Sequence, residues 1–131
     1  MSPCYQWGMR ALLQRVSKAK VQVDERVVGE ICRGLLVFLC AIKGDTERDL
    51  DYLVRKISQL RIFGDEQGKM NLTVQEVHGD VLVVPQFTLA ASLRKGTRPS
   101  FEQAEDPERA KEQYESFVRR LAETGLTVRT G

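Results

Sequence analysis

Apolar runs and short polar breaks alternate along the first forty residues, and the breaks set the element boundaries. Ala11 to Val16 and Lys20 to Asp24, the latter with alternating Val21 and Val23, predict two strands. Val27 to Ile31 and Leu35 to Ile42 predict two more, the second apolar on both faces and therefore central in a sheet. A change of period follows. Thr46 and Asp49 form a capping-box pattern, after which Leu50, Leu53, Val54, Ile57 and Leu60 recur at helical spacing along one stripe. Arg61 to Phe63 reads as a short strand, Gly64 to Gly68 as a turn, and Asn71 to Val77 as another strand. His78-Gly79-Asp80 is a tight turn into the buried strand Val81 to Val84.

Further along, Ser92 to Asp106, with Gly96 and Pro99, reads as a long polar loop, a kind of segment that often carries function. Asp106 caps a second helix with Pro107 at its first position, and Ala110, Tyr114, Phe117, Val118 and Leu121 form its buried face. Gly125 ends that helix, and Leu126 to Arg129 begins a strand. Residues 1–8 show no periodicity and are expected to be an irregular leader before a single domain at 9–131. Strands first, then alternating helices and strands, give a layered α/β domain.

Composition changes this picture little. With 131 residues, 42% of them hydrophobic and 29% charged, the chain has the balance of one ordinary globular domain. The longest apolar run, Gly34 to Ile42, is far short of the roughly 20 residues a membrane helix needs. No basic segment followed by an apolar one opens the chain, and the cytoplasm is the expected location. Cys4, Cys32 and Cys40 match neither a zinc nor a redox spacing and read as incidental or buried thiols. A net charge of +2 does not by itself identify a nucleic-acid binder. Arg10, Arg15, Lys18 and Lys20 cluster early and Arg94, Lys95 and Arg98 later, which fits solvated surface charge as readily as a binding patch.

Ordinary catalytic constellations do not assemble. His78 is the sole histidine and belongs to a turn, so a Ser-His-Asp arrangement has no base. Asp45, Glu47, Asp49 and Asp51 surround a helix start, where they complement its dipole. No glycine-rich phosphate loop occurs, and no cofactor or metal is implied. The unusual feature is Pro85-Gln86-Phe87-Thr88, which interrupts a core strand with a residue that has no N–H. Two readings fit: a bulged strand whose Thr88 packs, or a break that frees the N–H groups of Gln86 and Phe87 to hold a developing oxyanion. Thr88 as nucleophile lacks an evident base.

Met9 to Val16 (MRALLQRV), Arg61-Ile62-Phe63, Gly68-Lys69-Met70-Asn71, Gln86 to Ala90 (QFTLA), Gly96 and Arg98-Pro99-Ser100-Phe101 occur in one order. That series resembles the D-aminoacyl-tRNA deacylases collinearly from Met9 to Gly131. The resemblance implies a layered β/β/α fold with mixed sheets and two main helices, forming a homodimer with active sites near the subunit interface. It implies hydrolysis of the ester joining a D-amino acid, or glycine mischarged on tRNA(Ala), to the 3′-terminal adenosine of tRNA, with no cofactor, membrane or DNA involved. Main-chain groups and the ribose 2′-hydroxyl carry the chemistry in such enzymes. By position, Gln86 and Phe87 would supply main-chain donors and Thr88 would shape the site. Pro85, Met70 and Ala90 would contact substrate, and Arg15 matches an arginine that braces the chirality-selecting loop. Arg94, Lys95 and Arg98 are expected phosphate contacts.

Pro85 stands where the family motif usually has Ser. A related animal group also has Pro-Gln, but with Ala at the position of Phe87, and acts on a mischarged L-amino acid; Phe87 places this chain nearer the D-specific group. Family members continue with two further strands and a Gly-Pro motif that reaches the neighbouring subunit's site. The 131-residue form by itself is accordingly expected to be poorly active and aggregation-prone at an open edge. A non-catalytic dimeric RNA- or nucleotide-binding module, or a purely structural dimer, are the competing expectations.

Overall fold

A computed structural model describes residues 4–5, 9–41, 47–86 and 107–131. Its main sheet has five strands. They are β1 (Cys4–Tyr5), β2 (Arg10–Val16), β5 (Gly34–Cys40), β8 (Asp80–Pro85) and β9 (Val128–Thr130), in the spatial order β1-β2-β5-β8-β9. The β1-β2-β5 part is antiparallel, whereas β5-β8 and β8-β9 are parallel, so the sheet is mixed. Two hairpins lie outside it: β3 (Ala19–Val23) with β4 (Arg26–Ile31), and β6 (Phe63–Gly64) with β7 (Met70–Leu72). Helices α1 (Glu47–Gln59) and α2 (Pro107–Glu123) supply the two parallel crossovers, since parallel neighbours need a long connection.

Alternation along the strands decides which residues meet the helices. Ala11 and Leu13 from β2, Leu35, Val37 and Leu39 from β5, and Val81 and Val83 from β8 share one face. Against them pack Leu50, Leu53, Val54 and Ile57 of α1 and Phe117 and Leu121 of α2, as the helical stripes predict. Each such side chain contributes roughly 1.5–3 kcal/mol through burial. The other face is covered near β8 and β9 by the β3-β4 hairpin: Ile31 and Leu82 are buried, and Gly29 lies against the Thr130 carbonyl. Hairpin, sheet and helices make the expected β/β/α layers.

Three boundaries differ from the sequence reading. Cys4–Tyr5, inside the stretch expected to be irregular, pairs with Leu12 and Ala11 of β2. That strand is two residues long, too short for an alternating pattern to announce it. The strand expected over Asn71 to Val77 stops at Leu72. Beyond it, the Thr73 N–H donates to Glu76 Oε1 at 3.0 Å and the Glu76 N–H to Thr73 Oγ1 at 3.2 Å, a reciprocal capping box that winds one turn. The Thr-Val-Gln-Glu spacing was the available signal, and the apolar residues Val74 and Val77 masked it. Last, the expected short strand at Arg61 to Phe63 is Phe63–Gly64. The capping residues Thr46 and Asp106 lie outside the described residues. His78 does occupy a turn, at φ 55°, and Gly125 ends α2 at φ 98°.

Candidate active site

In open α/β sheets the ligand crevice lies beyond the carboxyl ends of parallel strands. Here β5 and β8 run side by side with Leu39 opposite Pro85, and a cavity of about 390 Å³ opens just past them. Leu39, Cys40, Ala41, Pro85 and Gln86 form its floor, Met9 one side, and Pro107, Ala110, Lys111, Tyr114 and Glu115 of α2 the other. The lining is mostly apolar, so water inside it is poorly held and polar groups placed there interact strongly.

Pro85 ends β8 at the position where a missing N–H is tolerated. One expectation is corrected here. The Gln86 N–H is not free: it donates to the Leu39 carbonyl at 2.8 Å, closing the β5-β8 ladder one residue beyond the proline. What Gln86 has left to offer the cavity it lines is its side-chain carboxamide. Phe87, Thr88 and Ala90, and the basic residues Arg94, Lys95 and Arg98, lie outside the described residues. Arg15 and Met70 are not in the cavity of the same chain. Arg15 pairs with Leu35 near the far end of β5 and donates to the Ile62 carbonyl at 2.8 Å, while Met70 is 60% exposed on β7. His78 precedes β8 and is thus at the opposite end of that strand from Gln86.

Tyr114, read from sequence only as a core residue, is part of the site. Its hydroxyl donates to the Val83 carbonyl at 3.0 Å, and the same carbonyl accepts the Gly131 N–H at 3.1 Å. The ring walls the cavity while the hydroxyl ties α2 to β8 two residues before Pro85. Its position was legible as a mid-helix tyrosine on a buried stripe, where a hydroxyl needs a partner. Burial raises its pKa above the ordinary value. The folded chain therefore holds the phenol proton more tightly than the unfolded chain. Stability from this source is fully present below about pH 10 and is lost as pH rises through the higher folded value. Tyr114→Phe is expected to lose about 1 kcal/mol at neutral pH and to show a shallower alkaline decline in urea denaturation.

Comparison with known proteins decides the family. The D-Tyr-tRNA(Tyr) deacylase profile matches residues 12–131. The chain belongs to the D-Tyr-tRNA(Tyr) deacylase family. It is 58% identical over 123 residues to a D-aminoacyl-tRNA deacylase of Aquifex aeolicus, covering 94% of this chain and 83% of that one. A D-aminoacyl-tRNA deacylase of Thermotoga petrophila is 57% identical over the same coverage. Among solved structures, a c-Myc DNA unwinding element binding protein superposes with a TM-score of 0.86 at 38% identity, covering 92% of this chain and 83% of that chain. A probable eukaryotic D-amino acid tRNA deacylase shares the fold, at TM-score 0.72 and 22% identity, over 86% of this chain and 66% of that one. Gln86 opens the deacylase-like motif QFTLA, and the fold brings it to the carboxyl edge of the parallel strands, beside the cavity.

Proposed function

We propose that this chain removes D-amino acids from tRNA by hydrolysing the ester to the 3′-terminal adenosine, and that the reacting end of the substrate enters the cavity beyond β5 and β8. The observation that carries the placement is the meeting of the Gln86 motif, in a chain of the deacylase family, with a mostly apolar cavity. Water adds to the ester carbonyl carbon, the bond from that carbon to the ribose 3′ oxygen breaks, and the ribose oxygen takes a proton. Free D-amino acid and tRNA leave. The transition state places negative charge on the carbonyl oxygen, which preorganised N–H donors stabilise by several kcal/mol in a water-poor site.

Because the Gln86 N–H is committed to Leu39, the donors in this reading are the Gln86 carboxamide and the N–H of Phe87. The substrate's own 2′-hydroxyl assists, and Thr88 and Ala90 shape the pocket. Arg94, Lys95 and Arg98 contact phosphates. Arg15 and Met70, remote from the cavity of their own chain, serve across the interface of a homodimer. The setting is translational proofreading in the cytoplasm, with glycyl-tRNA as a second substrate. Among the described residues no helix is long and apolar enough to cross a membrane.

Single-turnover incubation with D-Tyr-tRNA and L-Tyr-tRNA, enzyme in excess so that slow turnover is still read, tests this. Faster loss of the D-ester is expected. Tight binding of both with no ester loss would instead support a non-catalytic RNA-binding module.

A further inference from the structure

Arg15 and Arg33, from separate elements, both reach one short segment, residues 61–63, which itself begins with a third arginine, Arg61. Arg15 follows Ala11 and Leu13 on the helix-side face of β2, and its guanidinium donates to the Ile62 carbonyl at 2.8 Å. Arg33, in the bend just before β5, stands over the Phe63 ring with 5.7 Å from Cζ to the centroid. Arg61 itself reaches Asn71 Oδ1 at 3.4 Å across the foot of the β6-β7 hairpin. All three are exposed. Among the described residues none has a carboxylate within ion-pair distance. Asp65, four residues after Arg61, turns its Oδ1 onto the Gln67 and Lys69 N–H groups instead. Each contact uses a neutral partner, so the stems are held while the charges stay uncompensated. Fixing like charges together costs electrostatic energy that a docked anion offsets.

We infer that this rim is a binding site for the phosphodiester backbone of the tRNA substrate, separate from the ester-binding cavity of the same chain. The inference rests on the aminoacyl-tRNA reading and adds where the RNA is held. Planar guanidinium groups tethered by carbonyl, ring and amide contacts present their remaining N–H donors in a fixed orientation, the geometry that suits phosphate oxygens. The rim and the cavity lie at opposite ends of β5: Gly34 to Leu39 spans about 16 Å at ~3.3 Å per residue. That is a distance of about five stacked nucleotides at ~3.4 Å each, so one strand, or the strand bound by a second copy, can engage phosphates here while its 3′ end reacts elsewhere.

The test compares the wild-type chain with Arg33→Gln/Arg61→Gln, leaving Arg15 in place, and with Arg48→Gln/Arg55→Gln on the exposed side of α1 as a charge-matched control. Two substrates are used: D-Tyr-tRNA, and the adenosine ester 3′-O-(D-tyrosyl)adenosine, which has no phosphate. At about 0.1 M salt the rim variant is expected to raise KM for D-Tyr-tRNA about tenfold with kcat unchanged, and to lower the slope of log binding against log salt by about 1.4–1.8. Its hydrolysis of the adenosine ester should match wild type, and the control pair should match wild type on both. Equal loss on both substrates, an unchanged salt slope, or an equal shift in the control would overturn the rim as a phosphate site. Competition by duplex DNA as effective as by uncharged tRNA would also overturn it, showing general attraction of polyanions. Failure of the wild type on both substrates would instead strike at the deacylase reading itself.

Discussion

Gly34→Ala is expected to cost at least about 3 kcal/mol of stability, a large share of the 5–15 kcal/mol that a domain of this size has. Gly34 opens β5 directly beside Asp80, the first residue of β8. An added Cβ would overlap the Asp80 carbonyl oxygen and come within 2.7 Å of its nitrogen and 2.8 Å of its carbonyl carbon. Those are main-chain atoms and cannot rotate away. Asp80 is further held by its N–H donating to the Arg33 carbonyl at 3.0 Å. The only relief is to part the two central strands, which exposes Leu35 and Val81, both essentially fully buried. Gly64→Ala is the matched control, since a Cβ there meets nothing within 4 Å. Urea midpoints should fall sharply for the first substitution and barely for the second, with similar m-values. Equal midpoints would show that the close approach of β5 and β8 is not needed.

The largest effect on activity is expected from filling the cavity. Ala110 faces it from the first third of α2, between Pro107 and Tyr114. Ala110→Phe adds a ring that enters open space and not a packed core, so the usual overpacking cost is avoided and helix propensity falls by only about 0.5 kcal/mol. Deacylation of D-Tyr-tRNA should drop by on the order of 10²-fold, since displacing a reacting ester by even about 1 Å has that effect. Thermal stability and helical circular dichroism should stay near wild type, and Ala110→Ser should remain active. If the Ala110→Phe variant kept a single-turnover rate within about threefold of wild type, against the 10² expected, the reaction would have to be placed away from this cavity.

Periodicity was a good guide wherever burial was one-sided and local. The α1 stripe, the buried face of α2 and the two-faced apolar strand β5 all lie where the side-chain spacing put them. Sequence spacing failed where the element is too short to alternate, as in β1, or where a capping pair competed with apolar residues, as at Thr73 and Glu76. Within the site, Pro85 was legible as a strand end because a ring nitrogen has no proton to give. The use of the Gln86 N–H was not, because that depends on Leu39, forty-seven positions earlier in the chain.

The residue order alone determined the α/β class, the helical faces and the resemblance to a deacylase family, since each is written in local spacing or in matched motifs. Tertiary structure decided that residues near positions 9, 40, 86 and 110 enclose one cavity. It also decided that Arg15, Arg33 and Arg61 share one rim. Spacing tells which side of a segment seeks burial, but strand order and register tell which segment it meets.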